Sequence, residues 1–144
     1  MLAFDTNIAV YAANTSDSRH ASAREFLQSL SNRNDVVICD LMLVELFLKL
    51  CNPRIFPAPW TPPEAADHCM RYRENRVWKL VENAMVMDEV WRLAAASGFA
   101  FRRIIDARLA LTLLRNGVTE FATHNLRDFD TLGFDRVWNP LADG

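Results

Sequence analysis

The sequence predicts an α/β fold in which a central, mainly parallel β-sheet is covered by helices on both faces. Short apolar segments typical of buried strands alternate along the 144 residues with longer segments of helical periodicity. The composition, with 51% hydrophobic and 24% charged residues, is typical of a globular protein that buries one core. We therefore predict a single domain over residues 1–144.

The amino-terminal half of the chain predicts two strands and four helices. The apolar runs MLAF and VVIC have the length of buried strands, whereas RHASAREFLQSL places its apolar residues on one helical face. Thr6 and Asn7 are typical helix-starting residues, and Asp40 is predicted to cap the third helix. Five prolines exclude regular structure until Pro63 enters the first turn of the fourth helix. The predicted elements are a strand at 1–4, helices at 8–13 and 19–30, a strand at 36–39, and helices at 41–51 and 64–75.

The carboxyl-terminal half continues the same alternation. One helix is predicted to be capped near Asp88 and to end at Gly98, and the apolar helix RRIIDARLALTLLRN is closed by Gly117. The predicted elements are a strand at 77–82, helices at 87–97 and 102–116, a strand at 119–123, a short helix at 125–129 and an edge strand at 136–138.

Glu45 lies in a very apolar helix, and its charge needs a partner. Four apolar residues precede it and three follow it in DLMLVELFLKLC. An isolated ionised carboxylate in such a helix costs several kcal/mol unless it is paired, protonated or bound to a metal ion. Lys49, one turn later, offers one pairing with favourable orientation.

Three further acids fall where they can join Glu45. Asp106 stands alone in the apolar helix IIDARLALTLL, Asp5 ends the first strand, and Asp128 follows the strand at 119–123. The functional groups of parallel sheets gather at the carboxyl ends of the strands, so Asp5 and Asp128 point to one crevice. A divalent cation such as Mg²⁺ or Mn²⁺ explains the acids together, because it binds carboxylate oxygens and offsets their desolvation.

Each acid also has a purely structural explanation, and the residues alone leave these explanations open. The alternatives are helix capping by Asp5, ion pairs of Glu45 with Lys49 and of Asp106 with Arg102 or Arg103, and the start of the last turn at Asp128.

Several other kinds of site are not supported by the sequence. The three cysteines lack zinc-motif spacing and are expected to be buried thiols. Neither a GxSxG nucleophile motif nor a glycine-rich phosphate loop is present. The net charge of −2 argues against a nonspecific nucleic-acid coat, but not against a nucleic-acid enzyme. Every apolar run is far shorter than the roughly 20 residues of a membrane span, so we expect a cytoplasmic protein without membrane contact.

Four segments, in order, resemble PIN-domain ribonucleases, particularly the VapC-type toxins of bacterial toxin-antitoxin modules. The segments are LAFDTN, LMLVELF, RRIIDARLALTLLRNGV and FATHNLRDF, and they span essentially the whole chain. The resemblance implies a three-layer α/β/α PIN-like domain. Two departures are visible: Asn125 stands where many relatives have an acid, and the helix before Glu45 is apolar where they have a small hydroxyl residue.

The resemblance also implies roles for individual residues. Asp5, Glu45 and Asp106 would be the acidic core that binds Mg²⁺ or Mn²⁺, and Asp128 would complete the catalytic acids. The other implied residues are Asn7, Thr123 and Asn125, which would support the site by hydrogen bonding, and Arg102 and Arg103, which would bind RNA phosphates.

The implied activity is metal-dependent hydrolysis of RNA phosphodiester bonds without a covalent enzyme intermediate, as the toxin of a type II toxin-antitoxin system. The implied partners are RNA, a cognate antitoxin that covers the site, and a second copy of the chain in a homodimer. One alternative is a noncatalytic RNA- or protein-binding PIN-like module. Another, an Asp-dependent phosphatase or phospho-accepting domain, predicts a second Asp close behind Asp5 and a lysine after a late strand, and the sequence has neither.

Overall fold

The computed structural model describes residues 1–141, which contain five short strands. They are β1 Leu2–Phe4, β2 Val37–Cys39, β3 Lys79–Val81, β4 Glu120–Ala122 and β5 Arg136–Trp138. One sheet has the order β1-β4-β5, and β2 pairs with β3 in a second. Every one of these strand pairs is parallel.

A short backbone contact joins the two sheets. The Leu2 N–H donates to the Asp35 carbonyl at 2.8 Å, and Leu2 forms an isolated parallel bridge with Val36. The strands therefore lie in the order β3-β2-β1-β4-β5, which confirms the predicted central, parallel sheet. From β1 the chain adds β2 and β3 on one side, and then continues with β4 and β5 on the other side. The crevice at the carboxyl ends of β1 and β4 is therefore the topological switch point.

Helices form the two outer layers. The helices of the described residues are α1 Thr6–Ala13, α2 His20–Leu30, α3 Asp40–Leu50, α4 Pro62–Arg73, α5 Met87–Ala94, α6 Ile104–Arg115 and α7 Leu126–Phe129. Helix α1 contacts α2 and α3, and α3 contacts α4, whereas α6 contacts α5 and α7. This is the three-layer α/β/α arrangement predicted from the sequence. Between residues 1 and 141, no helix combines the length and the apolar character that a membrane crossing requires.

The hydrophobic core fixes the helices that carry the acids. Phe4 of β1 and Phe121 of β4 are fully buried in the sheet. Leu46 of α3 and Ala107 of α6, each at 1% exposure, follow Glu45 and Asp106 directly in sequence. Burial of these apolar neighbours sets the rotation of both helices, so the two carboxylates sit at the border between core and solvent.

Two predicted helix caps are wrong. Asp40 is the first residue of α3 and makes no capping bond; its carboxylate instead accepts a hydrogen bond from Nε of Arg73 at 2.8 Å. Asp88 lies inside the first turn of α5, which begins at Met87 without a side-chain cap. A long-range ion pair is available to Asp40 on the neighbouring helix, and local sequence does not reveal it.

Several predicted boundaries also differ from the observed ones. The strand predicted at 77–82 is confined to β3, and the helix predicted at 87–97 ends at Ala94. The first turn of the helix predicted at 102–116 is a 3₁₀ turn, Phe101–Arg103. Gly117 has a φ of +83°, in the left-handed region that glycine adopts easily at the end of a helix, as predicted.

Candidate active site

Asp5 lies at the switch point of the sheet, directly after β1. Its backbone N–H donates to the Ala122 carbonyl at 2.8 Å, which extends the pairing of β1 with β4 into the site. The Asn7 backbone N–H donates to Oδ1 of Asp5 at 3.3 Å, and the Thr123 hydroxyl donates to Oδ2 at 2.9 Å. Asp5 is thus the N-cap of α1, as one alternative proposed, and its second oxygen is held by the neighbouring strand.

Burial dominates the electrostatics of Asp5. The residue is 4% exposed, and burial raises the pKa of its carboxyl above the ordinary value. The hydrogen bonds from Thr123 and Asn7 and the charge of Lys49 act in the opposite direction, while Asp128 adds repulsion. An ionised Asp5 is therefore partly stabilised by its neighbours, but it retains a need for positive charge.

Thr123 connects three parts of the site. It is fully buried at the end of β4, and its Oγ1 accepts a hydrogen bond from the Asn125 backbone N–H at 2.9 Å while it donates to Asp5. The hydroxyl therefore fixes the Asp5 carboxylate relative to the loop that leads into α7. The hydrogen bonds place Thr123 beside Asp5, and its supporting role in the site stays a prediction.

Within residues 1–141, one oxygen of Glu45 has no hydrogen-bond partner. This atom, Oε1, is buried. Burial raises the pKa of Glu45 to about 7, with the charge of Lys49 opposing this change and the charges of Asp106 and Asp5 adding to it. A buried carboxylate oxygen without a donor is costly, and it is expected where a ligand completes the site.

Among the described residues, Lys49 does not form the ion pair with Glu45 that was one of the structural alternatives. Its Nζ donates instead to the side-chain oxygen of Asn7 at 2.5 Å. Asn7 thus links the lysine of α3 to Asp5, because its own backbone N–H donates to the Asp5 carboxylate. Lys49 is a site residue that the sequence reasoning treated only as a helix partner; its signal was a cation one turn after the isolated acid.

Asp106 joins the same electrostatic cluster from α6. Burial raises the pKa of Asp106 to about 6, with repulsion from Asp5 and Asp128 adding to the effect. Lys49 and Arg103 act in the opposite direction. Within residues 1–141, Asp106 forms no ion pair with either arginine that the sequence offered as its partner.

Arg103 is directed to Asp128 instead. Its Nε lies 3.7 Å from Oδ1 of Asp128, and another guanidinium nitrogen donates to the Asp128 backbone carbonyl at 2.5 Å. These contacts tie the 3₁₀ turn before α6 to α7. Arg102, by contrast, is exposed, and no partner for its side chain is found in the described part of the chain.

Asn125 and Asp128 border an open cavity of about 460 Å³. Its wall is formed by the segment from His124 to Asp128, next to the end of β4. A separate, more apolar cavity of about 290 Å³ lies beside α2 and α4 and contains none of the four acids. Of the four acids, only Asp128 lines the cavity formed by residues 124–128.

The donor set suits a hard divalent cation. Asp5, Glu45 and Asp106 supply carboxylate oxygens, and the unpartnered Oε1 of Glu45 is a free ligand atom. The described residues contain no group of three His, Cys, Asp or Glu side chains close enough to hold an ion as they stand. Mg²⁺ does not require such a group, since it commonly binds through one or two carboxylates, several waters and substrate phosphate oxygens.

Comparison with known proteins extends this picture. The PIN-domain family model matches residues 2–135. Ribonuclease VapC24 of Mycobacterium tuberculosis is 50% identical over 145 residues, covering 100% of both chains, in strain H37Rv and in strain CDC 1551 / Oshkosh.

Solved structures show the same fold. VapC20 of Mycobacterium tuberculosis, a toxin that cleaves the sarcin-ricin loop, aligns with a TM-score of 0.64 at 18% identity, over 84% of this chain and 87% of that chain. FitAcB from Neisseria gonorrhoeae aligns with a TM-score of 0.66 at 16% identity, over 97% of this chain and 98% of that chain. At such low identity these two likenesses concern the fold alone. The family match over nearly all of the sequence and the full-length relatives at half identity are the stronger findings, and by them the chain belongs to the PIN-domain family, among its VapC-type ribonucleases.

Proposed function

We propose that the chain is a divalent-metal-dependent endoribonuclease that acts as the toxin of a type II toxin-antitoxin module. The observation that supports this activity is the acidic cluster at the switch point. Asp5, Glu45 and Asp106 come from three distant parts of the sequence. The charge of Asp5 raises the pKa of both Glu45 and Asp106, and the charge of Asp106 raises the pKa of Glu45. Acids gathered in this way are unfavourable without a cation, and a cation beside a phosphodiester supports hydrolysis.

Mg²⁺ is the proposed cofactor, and Mn²⁺ would serve by the same oxygen chemistry. Asp5, Glu45 and Asp106 would hold it, and Asp128 would complete the ring of acids. When bound, the ion supplies positive charge that stabilises the phosphoryl and leaving oxygens and makes a water easier to deprotonate.

The residues around the ion would position the acids and the attacking water. Thr123 and Asn7 keep both Asp5 oxygens in fixed positions through their hydrogen bonds. Glu45 would either bind the ion or orient the attacking water through its Oε1, for which residues 1–141 supply no hydrogen-bond partner. Asn125 is proposed as a supporting residue beside the cavity formed by residues 124–128.

The two arginines that were predicted to bind phosphate differ in whether another residue already contacts the guanidinium group. Arg102 is exposed and is proposed to contact RNA phosphates near the site. Arg103 donates a hydrogen bond to the Asp128 backbone carbonyl and lies close to the Asp128 carboxylate, so its contribution would be to position α7.

The proposed partners are RNA, a cognate antitoxin and a second copy of the chain. The VapC-type relatives support the first two, since their name denotes ribonucleases of this toxin class. The homodimer and a cytoplasmic location are proposed from the family resemblance, and gel filtration of the purified chain with multi-angle light scattering would test the dimer.

Cleavage of bulk RNA by the purified chain tests the activity. We expect cleavage with Mg²⁺ or Mn²⁺, none with EDTA, and a loss of at least about 100-fold in Asp5→Asn and Asp106→Asn, because each removes a metal-binding charge. Asp88→Asn, an exposed acid on α5, is the matched control and should cleave like the unchanged chain. Cleavage that survives EDTA, or full activity in both site variants, would overturn the proposal.

The alternative function, a noncatalytic RNA- or protein-binding module, is permitted by the departure at Asn125, which stands where many relatives have an acid. That module would bind RNA with unchanged affinity in the site variants and would release no cleavage product with any metal.

A further inference from the structure

Lys49 occupies an unusual place in the acidic site. It lies on α3, one turn after Glu45, and its side chain is half-buried. Its Nζ donates to the side-chain oxygen of Asn7, a residue 42 positions away, and Asn7 in turn donates its backbone N–H to Asp5. The lysine is thus held close to Asp5 by a long-range hydrogen bond to Asn7.

Within the described residues, the ammonium group of Lys49 forms no ion pair. Over residues 1–141, no carboxylate oxygen lies within the 4.0 Å that defines a salt bridge to it. An ammonium group has three N–H donors, and Asn7 accepts from one of them. Two donors therefore remain for a ligand. Arg103, the other partly buried cation of the site, is engaged by Asp128.

The position of the Lys49 charge indicates that the ligand of its two free N–H donors is a phosphate group. Lys49 lies one turn after Glu45 on α3, and its Nζ reaches Asn7, whose backbone N–H donates to Asp5, so the ammonium lies beside the acidic cluster. A substrate phosphate that reaches these acids is brought beside the ammonium as well. Lysine binds phosphate as a compact point charge and needs no planar geometry.

We propose that Lys49 is a substrate-binding residue whose ammonium contacts a non-bridging oxygen of the RNA phosphodiester beside the acidic cluster, held in place by Asn7. The inference rests on the proposed function, since it requires RNA to enter this site. It assigns to Lys49 a role apart from metal binding, which can be measured when no metal and no cleavage are present.

RNA binding in EDTA tests the contact. The probe is a fluorescein-labelled, mixed-sequence, single-stranded RNA oligonucleotide, and the readout is fluorescence anisotropy over a range of salt concentrations. Lys49→Met should weaken binding by about 5–10-fold and reduce the slope of log affinity against log salt by about 0.7, because one phosphate contact is lost. Lys49→Arg should retain most of the affinity and the slope.

The second lysine of the chain provides the matched control. Lys79 is exposed on β3, and the sequence contains no further lysine. Lys79→Met should therefore bind the oligonucleotide with unchanged affinity and salt slope. If both substitutions weakened RNA binding equally, the loss would reflect only the change in net charge of the chain. That result would overturn the specific role of Lys49.

Isotope labelling tests the same contact without any substitution at Lys49. Incorporation of ¹³Cε-labelled lysine leaves both ammonium groups unmodified and gives two assignable NMR signals, with Lys79→Arg as the assignment variant. RNA should shift the Lys49 signal and leave the Lys79 signal in place. A Lys79 shift with a stationary Lys49 signal would overturn the inference, whether or not Lys49→Met folds.

Failure of this inference and failure of the proposed function give different results. If the unchanged chain neither binds nor cleaves RNA, both are overturned. If the unchanged chain cleaves RNA with Mg²⁺ while Lys49→Met retains the same affinity and salt slope, the ribonuclease proposal stands and the role of Lys49 does not.

Discussion

Replacing Glu45 by glutamine should stabilise the metal-free protein at high pH. Folding raises the pKa of Glu45 from 4.5 to about 7, and burial is the main cause. Between those pH values the folded chain binds more protons than the unfolded chain. The contribution of Glu45 to stability is therefore fully present below about pH 4.5 and is lost as the pH rises through about 7. At pH 8 the ionised carboxylate opposes folding, and a neutral amide does not.

The size of the effect follows from the two pKa values. Their difference corresponds to about 3 kcal/mol if the group were fully shielded from water. Glu45 is only half-buried, so solvent screening reduces the expected gain for Glu45→Gln to about 1–2 kcal/mol. A gain of this size should raise Tm by about 3–6 °C at pH 8.

The assay is thermal and urea unfolding of EDTA-treated protein at pH 5 and pH 8. The stabilisation should be present at pH 8 and much smaller at pH 5, where Glu45 is protonated in the folded chain. Glu25→Gln, an exposed acid on α2, is the control and should change the free energy of unfolding by less than about 0.5 kcal/mol. A Glu45→Gln protein that is no more stable than the unchanged chain at pH 8 would refute the reasoning, because it would mean that the carboxylate is already neutralised.

Three further predictions concern the rest of the site. Mg²⁺ should raise the Tm of the chain more at pH 8 than at pH 5.5, because the ion competes with protons for the carboxylates; an equal rise at both values would contradict this. Thr123→Val should lower the free energy of unfolding by about 1–3 kcal/mol and weaken cleavage, since the Asp5 carboxylate and the Asn125 N–H both lose a hydrogen bond. Arg103→Met should free α7, which hydrogen exchange would detect as faster exchange of the α7 amides; unchanged protection there would show that the contacts with Asp128 do not hold this helix.

The fold was accessible from the sequence because its signals are local. Four-residue apolar runs and amphipathic segments of about 11 residues differ in both length and period, and their alternation restricts the sheet to parallel pairing. The meeting of Asp5 with Thr123 was accessible for the same reason: two residues that follow parallel strands end up at one edge of the sheet.

The hydrogen-bond and ion-pair partners of the charged side chains could not be predicted from the sequence in the same way. Spacing along α3 favoured an ion pair between Glu45 and Lys49, but Lys49 reaches Asn7 on α1. Capping preference favoured a local role for Asp40, but Arg73 on α4 takes its carboxylate. In both cases packing between helices brings a distant residue closer than the local one, and helical periodicity contains no information on which neighbouring helix a polar face will meet.

Calorimetric titration of the EDTA-treated and dialysed chain with Mn²⁺ tests most directly whether Asp5, Glu45 and Asp106 form one cation site. We predict saturable Mn²⁺ binding by the unchanged chain, unchanged binding by Asp88→Asn, and affinity at least about 10-fold lower in each of Asp5→Asn, Glu45→Gln and Asp106→Asn. The account would be contradicted if the unchanged chain showed no saturable Mn²⁺ binding, or if all three site variants bound Mn²⁺ as tightly as the unchanged chain.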